Sequence, residues 1–131
     1  MTSTTQLVTG VDFAPVPSRD LERSVAFYRD TLGLPCSVHM PDRGFAEFET
    51  GNVTLSVYMP EQMGIPYATN PNPYALHVDD VAATRSTLQE RGVSFEGDVF
   101  DTGVCHMAFF ADPDGNALML HHRYVPRETT G

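Results

Sequence analysis

Apolar and polar positions along the first half of the chain predict one helix among four strands. A strand-like run over residues 8–16 is followed by helical spacing of apolar residues over 18–33. Ser18 is a good candidate N-cap, and Gly33 is a typical helix stop. Three short strand candidates come next, at 36–40, 45–49 and 53–59.

The second half repeats this order after a proline-rich connection at 60–73. A strand is predicted at 74–78, then a helix from Asp80 to Gly92, then strands at 93–100, 105–110 and 117–122. Equivalent landmarks recur in the same order: Asp20 with Asp80, Gly33 with Gly92, and Gly51-Asn52 with Gly115-Asn116. The ordered set indicates an internal repeat.

These patterns predict one α+β domain over 1–131, built from two βαβββ modules. The modules lie at 8–59 and 74–122, joined by the loop 60–73 and followed by a polar tail at 123–131. Their sheets are expected to form a half-open, curved mixed sheet with a concave cleft lined by both halves.

The charge and composition of the chain limit the classes of partner that it is expected to bind. Seventeen acidic and eight basic residues give a net charge of −9, which repels a phosphate backbone and argues against nucleic acid. The same charge favours a cationic ligand, although acidic surfaces also serve solubility alone. No stretch approaches the roughly 20 apolar residues that span a bilayer, so no membrane partner is expected. Two cysteines outside any CxxC motif fit reduced thiols and a cytoplasmic location.

Three segments resemble one known family. They are the first helix at 20–34, the second helix start Val78-Asp79-Asp80-Val81, and the turn Asp112-Pro113-Asp114-Gly115-Asn116. Together they resemble the vicinal oxygen chelate superfamily, which includes glyoxalase I, extradiol dioxygenases, and fosfomycin and bleomycin resistance proteins. The resemblance spans nearly the whole chain and implies the fold. It leaves the function open, because this fold hosts several chemistries as well as simple binding.

Metal-dependent members of that superfamily commonly place His on the first strand and Glu on the last strand of each module. Counting back seven residues from each helix-start aspartate gives Phe13 and Pro73. The third residue after each hairpin asparagine is Leu55 in the first half and Met119 in the second. None of these side chains is a usual ligand for Zn²⁺, Mn²⁺ or Fe²⁺. The resemblance therefore implies no metal cofactor in this chain.

Three histidines keep a metal-dependent alternative open. Strand alternation places His77 and His121 toward the cleft, and His106 lies on a neighbouring strand with undetermined facing. Converging imidazoles would form a non-standard divalent metal site for a lyase, isomerase or dioxygenase. No local motif marks either cysteine or Ser24 as a nucleophile. Enzymatic activity is thus undecided, and binding is the favoured interpretation.

An apolar, aromatic cleft with a few polar groups suits a flat or greasy small molecule. The favoured hypothesis is a metal-independent protein that sequesters an aromatic or cationic drug-like compound, as antibiotic-binding members of the family do. The resemblance also implies a homodimer whose clefts are completed across the two-fold axis. The predicted ligand-binding residues are Phe13, Phe45, Leu55, Val57, Tyr58, Tyr67, Pro73, His77, His106, Phe110, Met119 and His121.

Overall fold

The computed structural model describes residues 5–128 and contains two four-stranded sheets of the same topology. The first sheet has the strand order β1-β4-β3-β2, and the second has β5-β8-β7-β6. In each sheet the first strand runs parallel to the last, and the other neighbours are antiparallel. The strands are β1 (Phe13–Pro17), β2 (Cys36–Met40), β3 (Phe45–Glu49), β4 (Thr54–Tyr58), β5 (Tyr74–His77), β6 (Glu96–Asp101), β7 (Cys105–Ala111) and β8 (Ala117–Arg123).

One helix follows the first strand of each module, which confirms the predicted α+β fold of two βαβββ units. Helix α1 covers Leu21–Val25 and continues as a π-helix over Ala26–Thr31, whereas α2 covers Val81–Glu90. Two short 3₁₀ helices, Pro41–Arg43 and Pro60–Met63, lie in connections. The loop predicted at 60–73 therefore begins with a helical turn.

The helix boundaries are set by equivalent residues in the two modules. Asp20 caps α1 by accepting a hydrogen bond from the backbone N–H of Arg23, and Asp80 caps α2 in the same way. The prediction that Ser18 is the cap is wrong, because its hydroxyl is buried and bonds Ser24 Oγ at 2.7 Å. Gly33 and Gly92 end the helices with φ of 78° and 91°, in the left-handed region that glycine adopts without strain.

Buried side chains of both sheets and both helices form one hydrophobic core within residues 5–128. Leu55 and Val57 enter this core from the first sheet, and Leu118 and Leu120 enter it from the second. Within residues 5–128, the two sheets are separate and share no backbone ladder. Within one chain, a cavity between the modules is lined by residues of both halves, among them the predicted residues Leu55, Pro73 and His77.

A buried polar cluster joins the last hairpin of the second module to β1 and the π-helix of the first module. The Tyr28 hydroxyl donates to Asp112 Oδ2 at 2.7 Å, and burial, followed by the Asp112 charge, raises the pKa of Tyr28 well above its ordinary value. Asn116 Nδ2 donates to the same carboxylate oxygen and to the Pro17 carbonyl, both at 2.8 Å. This cluster, the hairpin clamp, holds the two modules in one orientation.

A second set of contacts strengthens the clamp at its exposed edge. Asp114 accepts hydrogen bonds from Arg23 Nη2 at 3.0 Å, from the backbone N–H of Arg19 at 3.2 Å, and from Ser24 Oγ at 3.2 Å. The Asp114 side chain is 2 % exposed, so the Arg23 ion pair lies partly out of solvent.

The chain ends fit the predicted organisation in part. Residues 5–12 form no regular element, so β1 is shorter than the strand predicted at 8–16. Arg123 belongs to β8, and the last three residues of the predicted tail, 129–131, lie outside the described residues. Within residues 5–128, no helix has the length and apolar character needed to cross a bilayer.

Candidate functional site

The open face of the first sheet, which the helices do not cover, is rich in aromatic side chains. Phe45 and Tyr58 are cross-strand partners on β3 and β4, and Phe13 lies beside Thr54 on β1. Phe13 is 55 % exposed, although aromatic rings are usually buried. The predicted residues Phe13, Phe45 and Tyr58 thus share one solvent-facing surface. We call this surface the aromatic face.

A carboxylate lies at the centre of the aromatic face. Glu47 pairs with Ser56 across the strands, and its side chain takes no hydrogen bond or ion pair within residues 5–128. Two residues further along, Glu49 accepts hydrogen bonds from Ser37 at 2.5 Å and Thr54 at 2.6 Å, which lower the pKa of its carboxyl. The Glu49 carboxylate is therefore already hydrogen-bonded within the chain, whereas the Glu47 carboxylate can form an ion pair with a cationic group of a ligand.

The open face of the second sheet is apolar and sulfur-rich. Met119 on β8 pairs with Phe109 on β7, and Met107 on β7 pairs with His121 on β8. His77 on β5 is the other neighbour of His121. Thioether and aromatic groups pack adaptably against flat ligands. We call this surface the methionine face. Met107 and Phe109 were missed in the sequence, although alternation from Met119 through the last hairpin indicates them.

The histidines divide between two faces of the second sheet. Burial lowers the pKa of His121, and the nearby charge of Arg127 lowers it further, so this imidazole is neutral at pH 7. His106 pairs with His122 on the opposite face, stacks on Tyr124 at 4.8 Å and contacts Asp101 at 3.4 Å. The facing of His106, which the sequence left open, is thus opposite to that of His77 and His121, because alternate residues of a strand point to opposite faces. The alternative set of three imidazoles is not brought together among the described residues.

Three further predicted residues pack in the core and do not reach either open face. Leu55, Val57 and Phe110 are each at most 3 % exposed, beneath the helices. Phe110 stacks against Phe95 with ring centroids 5.0 Å apart. Leu55 lines a cavity between the modules, whereas Val57 and Phe110 do not line it. The strand residues on either side of these three carry the open faces.

The last two predicted residues lie where the modules meet. Tyr67 stacks beneath the Arg19 guanidinium at 4.1 Å, and its hydroxyl donates to the Asp114 carbonyl at 3.4 Å. This ring is thus already occupied by a contact within the chain. Pro73 lines a cavity between the modules, with Leu55 and His77.

Comparison with known proteins identifies the family. The model of the Glyoxalase/Bleomycin resistance protein/Dioxygenase superfamily matches residues 10–120. The chain belongs to this superfamily. It is 28% identical over 114 residues to YraH, an uncharacterized protein of Bacillus subtilis, covering 78% of this chain and 89% of YraH.

Two solved structures of similar shape have different stated roles. TnmS3, an antibiotic binding protein from Streptomyces sp. CB03234, is 28% identical, with a TM-score of 0.76 and coverage of 91% of this chain and 99% of TnmS3. Lactoylglutathione lyase from Agrobacterium tumefaciens has the same TM-score of 0.76 but is 18% identical, with coverage of 87% and 93%. The second likeness concerns the fold alone.

Strand pairing changes one of the four positions at which the resemblance places metal ligands. Pro15 and Ala75 both lie five residues before the cap aspartates, and they pair with Ser56 and Met119. Ser56, not Leu55, is therefore the counterpart of Met119. The resulting set is Phe13, Ser56, Pro73 and Met119.

This set does not fit a divalent cation, because it offers no imidazole and no carboxylate. Within residues 5–128, no group of three His, Cys, Asp or Glu side chains converges closely enough to hold one elsewhere. Metal chemistry of the kind found in the superfamily's enzymes has no suitable donor set among these residues.

Proposed function

We propose that the protein binds and sequesters an aromatic, cationic drug-like molecule without a metal ion. The aromatic face carries this proposal, because Phe13, Phe45 and Tyr58 lie on the same sheet face as the unpaired carboxylate of Glu47. Rings stack on flat ligands, and a carboxylate among them attracts a positive charge. The likeness to an antibiotic binding protein over nearly the full length of both chains supports the proposal.

The cleft belongs to a homodimer in this proposal. The two open faces belong to separate sheets that share no ladder within residues 5–128, and each face needs a second sheet to enclose a ligand. A second copy supplies it when its methionine face lies opposite the aromatic face of the first copy. A two-fold axis then forms two identical clefts, each with an acidic, aromatic wall and an apolar wall that carries the neutral imidazole of His121.

Calorimetric titration tests the binding step. We expect bleomycin or the planar antibiotic doxorubicin to bind with a micromolar Kd, and Glu47→Gln to weaken binding about tenfold, or ~1.4 kcal/mol. Glu90→Gln, on the exposed surface of α2, removes the same charge away from both faces and serves as the control. If the two variants lose the same affinity, the effect of Glu47→Gln comes from the net charge of the protein and not from a contact with the ligand. Absence of binding to any cationic aromatic antibiotic would contradict the proposal.

Subunit mixing tests the shared cleft. Glu47→Lys damages the aromatic face and Met119→Lys damages the methionine face, so each variant alone is expected to bind no ligand. After denaturation and co-refolding of equal amounts, half of the dimers are mixed, and each mixed dimer has one intact cleft of two. About a quarter of the clefts then bind ligand. If the site lies within one chain, mixing restores no binding.

Metal content tests the second part of the proposal. The protein is incubated with Zn²⁺, Mn²⁺, Fe²⁺ and Ni²⁺, desalted exhaustively and analysed by mass spectrometry. We expect a metal-to-chain ratio near zero. A ratio near one that falls in His77→Ala or His121→Ala would replace the proposal with a metal-dependent function.

A further inference from the structure

A cavity of about 590 Å³ lies between the two modules, and Pro73 and His77, beside the methionine face, are among the residues that line it. Ala14 and Leu55 line it from the first sheet, whereas Leu76 and Leu120 line it from the second. Leu88 of α2 and the turn of residues 50–53 also line it. Its volume is within the range of small-molecule pockets, about 300–1,000 Å³.

The cavity lies at the position that corresponds, by the internal repeat, to the hairpin clamp. Tyr28 and Leu88 both follow their cap aspartates by eight residues, and Ser24 and Thr84 both follow them by four. In the first helix, the Tyr28 ring fills the space and its hydroxyl bonds the facing hairpin. In the second helix, Leu88 and Thr84 border the cavity instead. Leu88 is shorter than Tyr28 and has no hydroxyl. The space that the Tyr28 ring occupies in the first module therefore stays open in the second.

The facing hairpin also differs between the two positions. The last hairpin sends Asp112 and Asn116 into the clamp. In the first hairpin, the Thr50 hydroxyl bonds Asn52 and Val53 within the same turn. Within residues 5–128, no hydrogen bond joins that turn to α2. The cavity thus results from the residues on its two sides, Leu88 in α2 and the turn of residues 50–53. It does not result from loose packing throughout the core.

We propose that this cavity is a second binding site, separate from the dimer cleft, for one neutral and largely apolar small molecule. No Asp, Glu, Lys or Arg is among the described residues that line it, so an ion would lose its hydration without gaining a carboxylate, ammonium or guanidinium partner. The net charge of −9 also disfavours anions. Water gains few hydrogen bonds between leucine side chains, and an apolar ring displaces it favourably.

The neutral fluorescent probe N-phenyl-1-naphthylamine tests the site by titration. We expect saturable binding to the wild-type protein at micromolar probe. Leu88→Tyr, which copies Tyr28 into the cavity, and Ala14→Leu, from the opposite wall, are each expected to weaken binding at least tenfold. Met119→Lys on the methionine face is expected to leave probe binding unchanged. Bleomycin titration of Leu88→Tyr, expected to match wild type, separates this site from the cleft.

Methyl resonances of the wild-type protein locate the probe independently of any variant. We expect shifts for Leu76, Leu88 and Leu120 on adding the probe. The proposal is overturned if binding is not saturable, if these resonances do not move, or if Met119→Lys abolishes binding while both cavity variants retain it. Failure of bleomycin to bind, with these shifts present, would contradict the proposed antibiotic function and leave the cavity site standing.

Discussion

Removing the Tyr28 hydroxyl is expected to lower the free energy of unfolding by about 2 kcal/mol. The hydroxyl donates to Asp112 at 2.7 Å, and both side chains are at most 5 % exposed. Hydrogen bonds to a charged group contribute about 1.5–3 kcal/mol. The ring of Tyr28→Phe still packs against Phe27 and Phe48, so no cavity adds to the loss.

The stability difference between the wild-type protein and Tyr28→Phe is expected to become smaller as pH rises above about 10. Burial raises the pKa of Tyr28 in the folded chain above the unfolded value of about 10. The folded state therefore holds this proton more tightly, and its contribution to stability is complete below pH 10. Above pH 10 the unfolded chain releases the proton first, and the contribution falls by up to ~1.4 kcal/mol per pH unit. Tyr28→Phe has no such proton, so the two stabilities converge as pH rises.

Urea unfolding followed by far-UV circular dichroism measures both effects, at pH 7.5 and at steps from pH 9 to 11. Tyr124→Phe is a matched control, because the Tyr124 hydroxyl also donates to an aspartate, Asp101, at 2.7 Å but on an exposed surface. It is expected to change stability by much less. Equal losses for the two variants, or a difference that stays constant up to pH 11, would refute the buried charge-assisted hydrogen bond.

Two further predictions concern the clamp and the helix ends. Asn116→Ala is expected to cost about 3 kcal/mol, since it leaves the Pro17 carbonyl and the Asn70 N–H without partners. Asn52→Ala, in the exposed counterpart turn, is the control; an equal loss there would contradict the role of the clamp. Gly92→Ala is expected to cost about 1–2 kcal/mol from backbone strain alone, because φ is +91° and no atom lies within 4 Å of the added Cβ. A loss below about 0.5 kcal/mol in urea unfolding would show that the strain is relieved.

Sequence patterns predicted the order of the elements because each rests on local chemistry. Glycine at the helix ends and alternation along the strands depend on residues within a few positions of each other. The cap position was wrong by two residues, because Ser18 and Asp20 are both good caps locally. A contact distant in sequence decides between them: Ser18 lies beside Ser24, which donates to Asp114 of the other module.

The face of β4 could not be predicted by counting from the hairpin. Met119 follows its asparagine by three residues, but its structural counterpart Ser56 follows Asn52 by four. A one-residue difference in turn length moves every side chain of a strand to the other face. Leu55 was therefore expected on the open face and lies in the core. The pairing of Pro15 with Ser56 resolves the register, and it is known only once the strands are placed.

The orientation of the two modules also depends on residues that no local pattern connects. The internal repeat gives two equivalent contacts between the modules, one at the hairpin clamp and one around Leu88. Only the clamp is built from buried polar groups, which all need hydrogen-bond partners. Tyr28, Asp112 and Asn116 meet this requirement and fix the orientation at the clamp. Because the clamp supplies the orientation, the counterpart contact around Leu88 needs no close packing. An apolar side chain or ligand added beside Leu88 is expected to bury apolar surface without changing the orientation of the modules.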